Sequence, residues 1–600
     1  MSEERFQAWL LAGGVIALTL FQIGIQIRIN IWNKDFFDAL EYLNWGAFLR
    51  QMEIFSVLGV VSMGVAVYQV YLKQLLQLRW RKWLTNRLVG GWLENGRHYQ
   101  LNFVGEGVEN PDQRISENVR GATEMAVEFA LGILNAALTL VSFTGILWVL
   151  SGVLKIVLAG RTFEIPGYMV GAALIYAIVG SFLTYLVGRP IVDANVKQNA
   201  AEADFRFALI RVRENSEAIA LIGGEADEQK GLVRNFGHVI GASIGLMRAK
   251  RHLMWMTSGY AMIGIIYPTL VASPRYFTGV ITLGGLMQIT AAFGQVQTSL
   301  TWFVDNFPQI AEWRSHVARL LEFEDMLQTT IESTTEAGEV TRIELVEEPF
   351  EEGKEALTFK DLQITLADGN VVISETNATI HRGEKVLIDG ESGSGKSTLL
   401  RAAAGLWPWG AGSIHLPSRS KLMFMPQRPY LPLGTLRAAI AYPAPSRRFA
   451  VKDMEKALER CGLEHLIPKL NDTDRWDRIL SVGELQRVAF TRALLHKPEW
   501  IFMDEATAAL DEENQASMMQ LFHEELAWTT LISVGHRPGL AEFHDRTLHL
   551  LKSKTGAQLV KRRPTPTTHA PAKTKIRQRI TRSFAASVRR AKSKKKKGAA

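Results

Sequence analysis

The chain has 600 residues, 47% of them hydrophobic and 21% charged, with a single cysteine and a net charge of +8. That length exceeds one core, so two or more domains are expected. The lone Cys461 excludes an intrachain disulfide and any cysteine-rich metal site, and a buried apolar position is its expected place. Between Lys561 and Ala600 stand 15 Lys or Arg and no acid, which leaves the first 560 residues at −7. The basic balance therefore belongs to the tail and gives no ground for nucleic-acid binding by the folded part.

The first apolar run lacks a convincing cleavage site and reads as a retained anchor. A span of the hydrocarbon core needs about 20 mostly apolar residues. Six stretches qualify: Trp9–Ile27, Ile54–Leu72, Ala126–Leu150, Ile165–Gly188, Leu253–Ser273 and Tyr276–Val304. The last two predict a hairpin turning at Pro274 and Arg275. The connections after the second and fourth stretches are long and rich in Arg and Lys (Lys73, Arg79, Arg81, Lys82; Arg189, Lys197, Arg206, Arg211). Positive loops stay inside, so both termini are expected in the cytoplasm. Gln288, Gln295 and Ser299 fall on one face of the sixth stretch. That face is expected to point into the bundle, either for helix–helix hydrogen bonds or for a water-filled path.

Glu322 to Glu355 carries 12 acids against Arg342 and Lys354 and reads as a flexible linker. The domain reading is thus a six-helix membrane domain over 1–320, an acidic linker over 321–355, a nucleotide domain over 356–555, and a basic tail over 556–600. The tail lacks apolar periodicity and is expected to be disordered, as a solvated extension or as a contact with anionic lipid headgroups.

Gly390-Glu391-Ser392-Gly393-Ser394-Gly395-Lys396-Ser397 matches the P-loop pattern, with an apolar strand before it and a helix from Thr398 after it. Backbone N–H groups and the helix N-terminus suit ATP phosphates. Lys396 is expected at the β- and γ-phosphates, and the Ser397 hydroxyl on Mg²⁺. Trp500-Ile-Phe-Met-Asp504-Glu505 reads as a buried strand ending in two acids. Asp504 is expected in the Mg²⁺ shell, and Glu505 is the candidate that orients or deprotonates water.

Leu480-Ser481-Val482-Gly483-Glu484-Leu485-Gln486 resembles the signature of ATP-binding cassette (ABC) proteins. The resemblance implies an α/β cassette fused to an exporter-like helical membrane domain. It also implies that Ser481, Gly483 and Glu484 serve a nucleotide held by a second copy of the chain, hence a homodimer. Gln427 resembles the Q-loop glutamine, a Mg²⁺ sensor. Asp511 resembles the D-loop aspartate, and His536 the switch histidine on the γ-phosphate. No aromatic stands where adenine is usually stacked; Leu366 is nearest and Phe359 falls too early, so weak purine discrimination is expected.

Leu78-Arg-Trp-Arg-Lys-Trp-Leu84, Asn110-Pro-Asp-Gln-Arg-Ile115, Glu217-Ala-Ile-Ala, Gly223-Gly-Glu225 and Ser273-Pro-Arg-Tyr-Phe277 extend the likeness through the membrane half. Together with Gly405-Leu-Trp-Pro they are similar to the SbmA/BacA peptide-uptake family with a fused ATPase, and to peroxisomal fatty-acyl relatives. That implies a multi-pass protein of a bacterial inner membrane, surrounded by membrane lipids and moving peptides, cationic antimicrobial ones included. Lipid or acyl export and a non-transporting nucleotide-dependent regulator stand as alternatives. In the relatives the Glu217–Glu225 stretch resembles an element that docks on the cassette.

Overall fold

A computed structural model describes residues 2–101, 103, 110–158, 161–332, 342–347, 355–366, 369–537, 539–553 and 556–561. The chain divides into two compact units, Met1–Glu94 with Val108–Leu327, and Asn95–Gly107 with Gln328–Ala600.

The first unit is built of long helices: α1 (Ser2–Glu41), α2 (Trp45–Leu93), α3 (Val119–Ser151), α4 (Tyr168–Glu214), the short α5 (Ser216–Ile222), α6 (Glu225–Phe277), α7 (Leu283–Asp305) and α8 (Phe307–Glu332). A hairpin of β1 (Val153–Leu158) and β2 (Arg161–Pro166), which the apolar pattern did not reveal, joins α3 to α4. Four helical stretches are long and apolar enough to cross a membrane: Phe6–Glu41, Trp45–Leu93, Pro111–Ser151 and Tyr168–Glu214. Helices α6 and α7 stand where the fifth and sixth spans were expected but fall short of that mark. The reason for α7 is its position. It packs against α1, α3, α4 and α6 and buries Ile289, Ala292, Phe293 and Val296, so small and polar residues replace lipid-facing apolar ones.

Two sequence expectations change here. Helix α6 runs through Pro274 and Arg275 to Phe277, so the turn before α7 comes after them. Arg275 instead donates to the carbonyls of Leu150 and Ser151, capping the end of α3. On α7, Gln288 is buried but Gln295 is exposed, so the polar face does not point inward as a whole. Asn30 of α1 donates to the Gln288 carbonyl at 3.1 Å. The start of α7 is held by α1 as well. Asp38 accepts from the Gly284 N–H at 3.1 Å and Glu41 from Leu283 at 2.9 Å, satisfying helix-terminal donors.

Helices α4 and α6 are clasped by a repeated pattern, Tyr176-Ala-Ile-Val-Gly180 and Tyr260-Ala-Met-Ile-Gly264. The two tyrosine rings stack at 4.2 Å. Tyr176 donates its hydroxyl to the Tyr260 carbonyl at 2.5 Å, and Tyr260 returns the bond to Tyr176. Each phenol reaches a carbonyl whose own helix carries glycine four residues on. A Cβ at Gly180 would lie 2.2 Å from the Tyr260 ring, and one at Gly264 would lie 2.7 Å from the Tyr176 hydroxyl. Helix α5, which holds Glu217, lies in this unit with Leu221 and Ile222 exposed.

The second unit carries two main sheets, beside a two-residue antiparallel pairing of Gly434–Thr435 with Thr473–Asp474. The larger has the order β12 (Gln558–Lys561), β11 (Arg546–Leu551), β6 (Lys385–Gly390), β10 (Thr530–Val534), β9 (Trp500–Asp504) and β8 (Leu422–Met425). All its pairs are parallel except β11 with β12. The smaller has the order β3 (Glu344–Glu347), β7 (Gly410–Leu416), β4 (Ala356–Thr365) and β5 (Val371–His381). The core between the sheets and helix α9 (Lys396–Ala403) includes Leu357, Ile364, Val386, Leu399, Trp500 and Phe502. A second core, with Cys461 and Phe490, lies under helix α10 (Val482–His496). Burial raises the Cys461 thiol to about 11.

Strand β3 falls inside the expected linker and β12 inside the expected tail, because each completes a sheet edge. Residues 333–341 and 348–354 of the linker and 562–600 of the tail lie outside the described residues. Residues 95–107, expected in the connection after the second span, belong to the cassette unit. Their helical turn Arg97–Gln100 leads to Phe103, which packs edge-on against Trp407 at 5.0 Å.

Replacing Gly180 with Ala should loosen the α4–α6 clasp, because the new Cβ would lie 2.2 Å from the Tyr260 ring, which is stacked on Tyr176 and would have to shift. Overpacking of this kind costs about 1–3 kcal/mol. We expect a lower thermal midpoint for Gly180→Ala in detergent, while Gly171→Ala on the same helix, where a Cβ meets nothing within 4 Å, leaves it unchanged or higher. Equal midpoints for the two variants would remove the clasp.

Candidate functional site

The parallel strands β6 and β9, both paired to β10, release their loops at one edge of the larger sheet, where parallel sheets bind ligands. After β6 the chain turns through Gly390, Gly393 and Gly395, with φ of 155°, 76° and 97°. At Gly395 a Cβ would also meet Val372 at 2.7 Å, so only glycine lets the loop close over α9. Glu391, Ser392 and Gly393 are exposed along the loop, while Ser394 is buried with its hydroxyl unpartnered. Lys396 is buried and its ammonium donates to the Gly390 and Glu391 carbonyls, both at 2.8 Å. Thr398 follows in the first turn of α9.

Ser397 donates its hydroxyl to Asp504 at 2.9 Å, which joins the P-loop helix to the end of β9. Burial pushes the Asp504 carboxyl upward, and the Ser397 hydrogen bond opposes it. These two oxygens suit a hard cation. Among the described residues no group of three His, Cys, Asp or Glu side chains could hold a metal alone. Mg²⁺ held here by these two oxygens would complete its shell with water and phosphate oxygens.

Glu505, one residue on, has φ of 47°, a left-handed conformation that is uncommon outside glycine. Its N–H donates to the Val534 carbonyl at 3.0 Å, which holds it against the end of β10. Its carboxylate is gripped from two sides. Gln427 donates to one oxygen at 2.9 Å, and His536 Nδ1 lies 3.2 Å from the other. A cavity of about 110 Å³ beside them is lined by Glu505, Thr507, Ala508, Gly535, His536 and Arg537, among others.

Two residues to which the sequence reading gave no role tie these loops together. Gln486, buried on α10, donates to the Gln427 carbonyl at 3.2 Å and accepts from the Ala509 N–H at 2.9 Å. Arg537 donates to the carbonyls of Thr507, at 3.0 Å, and Leu510. In the sequence Gln486 closes the signature-like segment and Arg537 follows His536, but neither position reveals the distant backbone partners that each one reaches. Asp511 caps the helix Glu512–Gln520, accepting from Asn514 N–H at 2.7 Å.

Ser481, Gly483 and Glu484 form the N-terminus of α10. Ser481 and Glu484 make a reciprocal capping box. Among the described residues no hydrogen bond links this terminus to the P-loop. Phe359 is buried in the core, and Leu366 is 37% exposed in a tight turn.

Two family models match, ABC transporter transmembrane region 2 over residues 2–277 and ABC transporter over residues 373–508. An ABC transporter ATP-binding protein of Haemophilus influenzae is 33% identical over 91% of this chain and 92% of its own length. The chloroplastic ABC transporter D family member 2 of Arabidopsis thaliana is 31% identical over 92% of this chain and 84% of its own. A solved bacterial Atm1-family ABC exporter with ATP bound superposes with a TM-score of 0.70 at 18% identity, covering 92% of this chain and 94% of that one. The chain belongs to the ABC transporter family, as a helical membrane domain fused to an ATP-binding cassette with an exporter-like fold, and it is related to the D family. It is an ATPase coupled to transport and uses ATP with Mg²⁺.

His544 braces strand β10. Its Nδ1 meets the Leu540 carbonyl at 2.7 Å and its Nε2 the Ser533 hydroxyl at 2.8 Å, which suits the neutral ring with Nδ1 as donor. Burial holds its pKa below the ordinary 6.5. Only the unfolded chain then protonates readily just below pH 6.5. The stability this residue supplies is complete above pH 6.5 and is lost as pH falls toward the lower folded value. The cassette's thermal transition should fall on acidification through that window, and His544→Gln should flatten the slope. A slope unchanged in His544→Gln would assign it elsewhere.

Proposed function

We propose that two copies of this chain form two ATP sites, each made from the Gly390–Thr398 loop of one copy and Ser481, Gly483 and Glu484 of the other. The observation that carries this reading is Glu505, held between Gln427 and His536 one residue beyond the Ser397–Asp504 pair. Lys396 exchanges its carbonyl partners for the β- and γ-phosphates. Ser397, Asp504 and Gln427 hold the Mg²⁺, which neutralises phosphate charge when bound. Glu505 orients and deprotonates the attacking water, His536 contacts the γ-phosphate, and Asp511 lies where the two cassettes meet. ATP closes the cassette pair, hydrolysis reopens it, and the helices convert that cycle into alternating access across a bacterial inner membrane.

Two cargo readings remain. The membrane-half motifs support uptake of peptides, cationic antimicrobial ones included. The exporter-like fold and the kinship with the D family favour the second, movement of acyl or other lipid cargo. Reconstitution in liposomes with a fluorescent peptide and a fluorescent phospholipid separates them. ATP-dependent peptide flux alone supports the first, and lipid flux alone the second. Glu505→Gln should bind ATP and abolish either flux, with turnover down about 100-fold or more. Turnover near wild type in that variant would overturn the Glu505 assignment, and no flux of either cargo despite ATPase activity would overturn the transport readings tested.

The purine is expected to lie on aliphatic side chains near Leu366 and Val371, both partly exposed. Without a stacking aromatic, ATP and GTP should differ modestly in catalytic efficiency. A preference above about a hundredfold, roughly 2.7 kcal/mol, would contradict this.

A further inference from the structure

The signature serine has a prior commitment. Ser481 donates its hydroxyl hydrogen to Glu484 Oε2 at 2.8 Å, and its backbone N–H reaches the same oxygen at 2.9 Å. The Glu484 N–H closes the box by donating to Ser481 Oγ at 3.3 Å. A γ-phosphate offers only acceptors, so Ser481 must turn this same hydrogen toward it. Glu484 therefore competes with the incoming nucleotide for one hydrogen, and its negative charge stands near where a polyanion must arrive.

A third group bears on that competition. His465 Nε2 lies 2.8 Å from Oε1, the other oxygen of the Glu484 carboxylate. His465 comes from the 3₁₀ turn Glu464–Lys469, whose Leu466 side chain is buried in the core under α10. Among the described residues it is the ion-pair partner of Glu484. Arg487, one turn along α10, is directed instead to the Gly462 carbonyl at 2.6 Å. Donation at Oε1 draws charge away from Oε2 and fixes the carboxylate plane. The first effect weakens the hold of Glu484 on the Ser481 hydroxyl, and the second keeps Oε1 directed at the imidazole.

We propose that His465 is a positioning residue of the composite ATP site: by holding Glu484 it frees the Ser481 hydroxyl for the γ-phosphate bound to the opposite copy. This rests on the reading that the signature serves a nucleotide in trans. His465 touches no nucleotide, and it acts on the affinity of the closed pair rather than on the chemical step.

The test uses ATPase kinetics of the full-length protein in nanodiscs. His465→Leu removes the donor and should raise the KM for ATP about five- to tenfold, with kcat within twofold of wild type. His465→Gln restores an N–H at a similar reach and should return KM to within about twofold. In a Glu484→Gln background, where the acceptor is neutral, His465→Leu should change KM by less than twofold. Wild-type KM in His465→Leu, or equal impairment by Leu and Gln, would overturn the proposal, the second outcome marking a packing role. Ser481→Ala separates the two layers. If it leaves KM and kcat at wild type, the signature reading fails and this proposal with it. If it impairs the enzyme while His465→Leu does not, only the role of His465 fails.

Discussion

The hydrogen bond from Ser397 to Asp504 is the contact on which the nucleotide site is built. It joins a helix that begins after β6 to the end of β9, two strands separated by β10 in the same parallel sheet. Without that register the P-loop would be an anion-binding turn with nothing opposite it. With it, the next residue, Glu505, falls beside the same loop, and the left-handed backbone there turns its carboxylate toward Gln427 and His536. Strain at one residue is accepted because three neighbouring strands fix both sides of it.

The cassette was largely legible because its chemistry is carried by short contiguous segments. A phosphate cradle must be glycine-rich, a buried parallel strand must be an apolar run, and an acid at its end has few structural reasons to be there. What escaped were residues whose importance comes from partners far away in the sequence. Gln486 joins Gln427 to Ala509 from inside a helix, and its polarity alone carries no such message. Strands β3 and β12 escaped because four-residue edge strands have almost no periodicity, and acidic or basic surroundings masked them.

In the membrane unit hydropathy located the helices but misjudged their ends and faces. Pro274 suggested a break, yet the helix runs on through it, because the Leu270 carbonyl that lacks a proline N–H accepts from the Ser273 hydroxyl at 3.0 Å. Helix α7 buries Gly284, Gly285, Gln288 and Ala292, so the small and polar residues that weaken its hydropathy also mark its packing role. The Tyr–Gly pairs on α4 and α6 were visible as letters but not as a clasp, since only the crossing of the two helices brings each ring over the other's glycine.

Phe103 illustrates how far the folded unit departs from the chain's linear division. It comes from a segment between two membrane helices, yet it covers Trp407, which is 5% exposed, and it also meets Trp409. A cassette cut out at residue 356 would leave this segment behind and uncover an indole surface just past the P-loop helix. The natural breakpoint for studying the ATPase in isolation is thus not a single cut. A fragment carrying residues 95–107 on a tether, or supplied as a peptide in trans, is the smallest piece that keeps the aromatic contact whole, and the part of the tryptophan emission that a Trp407→Phe variant loses reports whether it has been kept.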